Sequence, residues 1–160
     1  MVQYGGFWWR VLAYFIDYII LNVALSLIGM MLGIGIGMQT MMMGGTSDFA
    51  TGASALLGGL VGFVISWLYF AVMESSTKQA SVGKMAVGLV VTDERGNRIS
   101  FARATGRYFA KILSAMILLI GFIMVAFTQR KQGLHDMIAS TLVWKARDPR
   151  LVRDDEGIFA

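Results

Sequence analysis

Four side chains combine a reactive type with an unusual place: Arg10, Asp17, His135 and Asp136. Arg10 and Asp17 interrupt the apolar stretch FWWRVLAYFIDYIILNVALSLIGMMLGIGIG, which runs from Phe7 to Gly37. Seven residues are nearly two helical turns, so both side chains leave a helix on one face, with Asp17 ~10 Å deeper. A charge at membrane depth costs ~2.5–3.5 kcal/mol on insertion scales. A carboxyl there has no anchoring use, which makes Asp17 a candidate for binding or relaying an ion. Arg10 has a plainer alternative as an interfacial anchor. His135 is the only histidine, adjoins Asp136 and belongs to the residue type that exchanges protons near pH 7. Its plainer alternative is to orient the segment before Met137, with Asp136 capping a turn from Met137 to Ser140. Arginine carries five donors and can bridge two carboxylates. Arg10, Asp17 and Asp136, with His135 beside them, are therefore expected to form one substrate- or ion-binding site.

The elements that position these residues read as membrane segments. At 160 residues the chain suits one domain, and 56% of it is hydrophobic. Its mean hydropathy of +0.64 is above that of a soluble domain. The expected class is mainly α: a polytopic helical membrane protein with two spanning helices, a third apolar segment and a small cytoplasmic β-hairpin. Residues 1–145 are expected to form the single membrane domain, and 146–160 a loosely ordered polar tail. No cysteine is present, which excludes disulfides, thiolate chemistry and Cys-based metal sites. The N-terminus lacks a basic region before its apolar run, so the first helix is read as uncleaved.

The net charge of +4 is unevenly spread: apart from Arg10, every Lys and Arg lies at or beyond Lys78. By the positive-inside rule the N-terminus is cytoplasmic and the segment around Asp48 external, in a multi-pass protein of the cell (inner) membrane. The basic excess suits anionic lipid, and no nucleic-acid motif accompanies it. An external loop is expected from Met38 to Gly52. Its cluster Met38, Met41, Met42 and Met43 offers soft sulfur ligands for Cu(I), or simply flexible packing at the outer interface.

A second helix is expected from Ala53 to Met73. Ser54, Gly58, Gly62 and Ser66 recur at spacing four, as do Gly29, Gly33 and Gly37. Such stripes let membrane helices approach closely. The pair is expected to touch in its outer half and splay in its inner half, opening a crevice at Asp17. Gly83-Lys84 lacks the remaining residues of a phosphate loop and is rejected as one. Ser81 to Val87 reads as a short helix and Leu89 to Thr92 as a strand. A turn at Glu94–Asn97 and a return over Arg98–Ser100 complete the hairpin, with Thr141–Trp144 as a third strand. Ser100 caps the next helix, where Arg103, Arg107 and Lys111 form a basic stripe read as snorkelling to headgroups. Attraction of an anionic substrate is the alternative. The run Ile112–Thr128 is only seventeen residues long. A single crossing would carry Arg130 and every later basic residue outside, so a re-entrant hairpin turning near Gly121 is preferred to a third span.

These residues resemble the RDD family of small bacterial membrane proteins, named for one arginine and two aspartates. The resemblance rests on Trp9-Arg10-Val11-Leu12-Ala13-Tyr14-Phe15-Ile16-Asp17, on Ser81-Val82-Gly83-Lys84-Met85-Ala86-Val87-Gly88-Leu89-Val90-Val91, and on Gly133-Leu134-His135-Asp136. It covers Phe7 to Trp144. It implies a transport role without a defined substrate, and some members have been linked to sodium–proton exchange.

The expected function is a small transporter or transporter subunit, with cation/proton exchange as one form of it. The alternative is a non-enzymatic membrane scaffold or adaptor that presents a basic cytoplasmic surface to a partner. No catalytic motif is apparent, so no enzyme, cofactor or metal is expected. Three apolar segments are few for a permeation path, so a homo-oligomer or a partner membrane subunit is expected beside the surrounding lipid.

Overall fold

The computed structural model describes residues 2–43, 48–116, 120–153 and 155. By internal contacts the chain divides into two compact units, Met1–Asp17 with Trp67–Ala160, and Tyr18–Ser66.

Two helices dominate the chain, α1 (Phe7–Met43) and α2 (Asp48–Glu74). Within them Phe7–Met31 and Ala55–Glu74 each reach a mean hydropathy of 2.1 and are long enough to cross a membrane. Only 11% of each stretch is buried inside the molecule, so these are not the core helices of a soluble fold. Helix replaces most of the loop expected from Met38 to Gly52. Met and Gln sustain a helix well, and the next glycine pair after Gly5-Gly6 comes only at 44–45. The methionine side chains from Met38 to Met43 lie outside the described residues, as do residues 44–47.

In the unit Tyr18–Ser66 the glycine stripes do not form the expected close crossing. A methyl group at Gly29, Gly33 or Gly58 would meet nothing within 4 Å. At Gly62 it would lie 3.7 Å from Leu25 Cδ1, so contact is made there through a leucine side chain. The side of Gly29, Gly33 and Gly58 is left open.

The other unit is built on a three-stranded sheet ordered β1-β3-β2, from β1 (Gln3–Tyr4), β2 (Leu89–Asp93) and β3 (Thr141–Lys145). Both neighbours of β3 are antiparallel, with Val91 opposite Val143 and Tyr4 opposite Trp144. The first four residues of β2 and of β3 are all buried, as in strands covered on both faces. One face packs Leu89, Val91 and Val143 against Ala13, Ala71, Ile99 and Ala104. The other packs Val90, Leu142 and Trp144 against Val152, with the Tyr4 ring stacked on Trp144 at 4.4 Å.

The expected hairpin return over Arg98–Ser100 is not a strand. The turn itself forms: the Asp93 carboxylate accepts from the Arg95 and Asn97 amides, and Gly96 takes the left-handed conformation. Beyond it, however, the free edge of β2 is already occupied. Val91 N donates to the Gln79 carbonyl at 2.8 Å, and Gln79 Nε2 donates back to the Val91 carbonyl at 3.0 Å. Ile99 instead enters the core. β2 therefore pairs with the distant β3, the strand expected as a third member.

Short helices complete this unit: α3 (Val82–Val87), α4 (Phe101–Met116), α5 (Ile120–Phe127), α6 (Leu134–Ile138) and α7 (Pro149–Arg153). Ser100 caps α4, its Oγ accepting from Arg103 N at 3.2 Å. The third apolar run is divided between α4 and α5, which pack on one another, and α6 packs on both. Gly121 lies inside α5, and the junction at 117–119 is outside the described residues. The segment expected as a loose tail from Ala146 carries α7, whose Val152 is fully buried because it fills the outer core of the sheet.

Gly83 is a position of close approach. A Cβ there would overlap the Ala13 carbonyl oxygen and lie 2.8 Å from Asp17 Cγ. Gly83→Ala is expected to destabilise by ~1–3 kcal/mol, as overpacking of a tight core does. Gly106→Ala, where nothing lies within 4 Å, serves as control in detergent thermal melts.

Candidate functional site

Two buried polar centres lie in the sheet-containing unit. The first surrounds Asp17, which is 1% exposed. Tyr69 Oη donates to Asp17 Oδ1 at 2.7 Å, Ser81 Oγ to Oδ2 at 2.5 Å, and the Gly83 amide to Oδ1 at 2.7 Å. The Val82 amide donates to Tyr69 Oη at 3.0 Å. Every donor is neutral. Asp17 thus holds the start of α3, which ends at Gly88 in the left-handed conformation. The crevice expected at this level is filled by α3 and Tyr69.

The second centre is ionic. Arg107, 1% exposed on α4, divides its guanidinium between two carboxylates. Nη1 lies 3.1 Å from Glu74 Oε2 and Nη2 lies 2.5 Å from Asp136 Oδ1. Lys84 pairs with Glu74 Oε1, and Lys111 Nζ lies 3.3 Å from the same oxygen. Arg10 Nη1 pairs with Asp136 Oδ2. Arg10 also donates from Nε to the Gly5 carbonyl at 2.8 Å and from Nη2 to the Lys131 carbonyl at 2.5 Å. Lys131 takes a positive φ of 49° at this carbonyl. Asp136 additionally accepts from the Gly133 amide at 3.3 Å. It is therefore inside the first turn of α6 and does not cap a turn at Met137.

Of the four expected site residues, Arg10, His135 and Asp136 meet, whereas Asp17 does not pair with Arg10 among the described residues. The arginine that joins two carboxylates is Arg107, and its second partner is Glu74. His135 Nε2 sits 3.5 Å from Asp136 Oδ1. Burial, reinforced by Arg107, Lys111 and Arg10, pushes its pKa down to about 3 despite Asp136. The imidazole is neutral at pH 7, which removes it as a proton exchanger there. Asp136 is held far below the usual carboxylate range: Arg10 and Arg107 outweigh the opposing effect of burial, the largest single influence.

Glu74, Lys84, Arg107 and Lys111 were missed as site residues. Arg107 and Lys111 turn inward from α4, so the basic stripe is not a snorkelling one; only Arg103 faces outward, 3.9 Å from Asp93. A signal for this lay in the sequence, because Phe109, Ile112, Leu113 and Met116 occupy the opposite side of the same helix. Glu74 closes the second apolar run, as Arg10 opens the first.

An RDD family profile matches residues 4–140. The chain belongs to the RDD family. Two relatives from Bacillus subtilis (strain 168) match along most of its length. One, "Uncharacterized protein YxaI", is 39% identical over 155 residues, covering 89% of this chain and 98% of the relative. The other, "Uncharacterized membrane protein YteJ", is 31% identical over 146 residues, covering 88% and 80%. No solved structure matches. Arg10 and Asp136 thus meet in the ionic centre, whereas Asp17 holds α3.

Arg107→Ala is expected to destabilise by ~3–5 kcal/mol, because it removes one partner from each of two buried carboxylates. Arg103→Ala, at an exposed pair, is expected to cost under ~1 kcal/mol. Chemical or thermal unfolding of the purified variants separates the two.

The neutral His135 adds an acid-side signature. Its folded pKa of about 3 lies below its unfolded value of 6.5, so the unfolded chain binds the extra proton and stability falls as pH drops from 6.5 towards 3. His135→Gln is expected to flatten that decline, read as the unfolding midpoint between pH 7 and pH 5.

Proposed function

We propose that this chain is a small transporter, or one subunit of a transporter, that exchanges a cation for a proton across the cell (inner) membrane. The single observation that carries the reading is the position of α3. Its adjacent residues Gly83 and Lys84 are tied to two different carboxylates, Asp17 on α1 and Glu74 on α2. Both helices are long and apolar enough to cross a membrane. Family membership and the likeness to YteJ, a membrane protein by its name, support the membrane setting.

The chemistry follows from the donor set. Asp17, Ser81 Oγ and Tyr69 Oη offer oxygen ligands to a hard cation, whereas the Gly83 N–H opposes one. A cation entering at Asp17 displaces that amide and shifts the start of α3. Lys84 moves with it, away from Glu74. Burial, despite Glu74, already lowers the Lys84 pKa to about 8, so loss of its counter-ion releases a proton near neutrality. One positive charge enters at Asp17 as one leaves Lys84, so the summed charge of the two centres is unchanged. No catalytic group is needed, and the protein is read as a non-enzyme.

The positive-inside distribution puts the N-terminus, Glu74 and the sheet on the cytoplasmic side, with the α1–α2 junction outside. The packing of α6 on α4 supports a re-entrant third segment. Two spans are few for a path, so a second copy or a partner subunit completes it. The inward turn of Arg107 and Lys111 reduces the basic surface that a scaffold would present and favours transport over that alternative.

Two measurements test this. In liposomes holding a pH-sensitive dye, cation-driven proton flux is expected to fall about tenfold or more in Asp17→Asn, because the cation loses its one anionic ligand. The wild-type rate is expected to inflect near pH 8 and Lys84→Gln to lose that inflection. Absence of cation-driven flux in the wild type, with cellular function kept in Asp17→Asn and lost in Arg95→Ala, would support the scaffold instead. For topology, cysteine at Gly52 is expected to react with an impermeant thiol reagent in intact cells, and cysteines at Ser76 and Ser140 only after permeabilisation. External labelling at Ser140 would restore a third span.

A further inference from the structure

The buried ionic centre is not neutral. Arg10, Lys84, Arg107 and Lys111 share two carboxylates, Glu74 and Asp136. Four cations against two anions leave two positive charges in excess. The excess gathers at one end, where Lys84 and Lys111 both donate to Glu74 Oε1. Each ammonium has three N–H donors, and among the described residues each gives one hydrogen bond. Lys111 otherwise lies over the Phe70 ring, 4.8 Å from its centroid. Arg107 Nε, on the guanidinium that shares Glu74, is buried without a hydrogen-bond partner. Like charges held this closely away from water are costly unless an anion joins them.

Access is graded in the same direction. The Lys84 and Lys111 side chains are 11% and 18% exposed, while Glu74 and Arg107 are 1% exposed. The two lysine side chains are therefore the part of this end of the centre nearest to solvent, and the carboxylate lies behind them. The helix that carries Lys111 is inverted in polarity. Arg107, Lys111 and Ser114 face inward, and Phe109, Leu113 and Met116 face outward at 47%, 46% and 76% exposure. A helix of that polarity suits acyl chains on its outer side, which sets Lys111 at headgroup level.

We propose that Lys84 and Lys111 form a binding site for a phosphate-class oxyanion, supplied either as free phosphate or as the headgroup phosphate of an anionic lipid. Such an anion spreads several acceptor oxygens around one centre and matches the four unspent ammonium N–H groups. It offsets the excess charge without displacing either carboxylate from Arg107. The site does not depend on the transport reading, since it needs no cation at Asp17 and no flux.

The test uses the purified full chain in non-ionic detergent and in lipid nanodiscs. In the first arm the thermal midpoint is followed against sodium phosphate, with sodium chloride at matched ionic strength. In the second, nanodiscs of phosphatidylcholine are compared with nanodiscs containing phosphatidylglycerol. A saturable rise above the chloride or phosphatidylcholine baseline is expected in at least one arm. Lys111→Gln is expected to weaken the response about tenfold in apparent affinity, as loss of a charge-assisted hydrogen bond does. Lys84→Gln combined with Lys111→Gln is expected to abolish it, and Lys111→Arg to retain it. A response to phosphate alone assigns the site to the free ion, and one to phosphatidylglycerol alone assigns it to lipid. Midpoints that track ionic strength only in both arms would overturn the proposal. So would a response unchanged in Lys111→Gln, a comparison that stands even where the double variant does not fold.

Discussion

Arg107 is the constraint on which the rest of the sheet-containing unit depends. Its guanidinium joins Glu74, the last residue of α2, to Asp136, the third residue of α6, and Asp136 in turn holds Arg10 in the first turn of α1. Three elements far apart in sequence are thereby fixed to α4 at one level. Each of these ions is costly to bury alone, and each becomes tolerable because its partner is already in place. Such a network specifies geometry more than it adds stability. A wrong register would leave a charge unpaired in a low-dielectric surrounding, which is a larger penalty than most packing errors carry.

The sheet and α3 supply the frame for this network. β2 and β3 bury both faces, so they act as a rigid layer between the core under Ala13 and Ala71 and the outer core under Val152. α3 enters that layer just before β2 and is held at its start by Asp17. Because Gly83 has no side chain, backbone amide and carboxylate meet directly. The two centres then differ in character. Asp17 is bound by three neutral donors, any of which can yield to another ligand, whereas Asp136 is locked between two guanidinium groups. Lys84 stands between the two centres, on α3 by sequence and on Glu74 by charge.

Much of this was legible in the residues themselves. The two long apolar helices follow from hydropathy and length. The short helix at Ser81–Val87, the cap at Ser100, the turn at Glu94–Asn97 and the strand at Thr141 follow from local propensity and turn chemistry. The pairing of Arg10 with Asp136 was expected from their types, since an arginine has donors enough for two carboxylates. What local reasoning placed wrongly shares one cause. The hairpin return at Arg98–Ser100 gave way because Gln79 had taken the edge of β2. The basic stripe turned inward because Glu74 and Asp136 wait on that side.

The sequence by itself determined the apolar lengths, the uneven charge and the presence of ionisable residues within or beside them, because these depend on composition and spacing along one chain. Only the tertiary structure decided which charge meets which. Ion pairing in a low-dielectric interior depends on distances between residues 10 to 126 positions apart, and no periodicity encodes those. Thus Asp17 met Ser81 and Gly83 instead of Arg10, and Arg107 took the bridging place that its spacing with Arg103 and Lys111 gave no reason to assign.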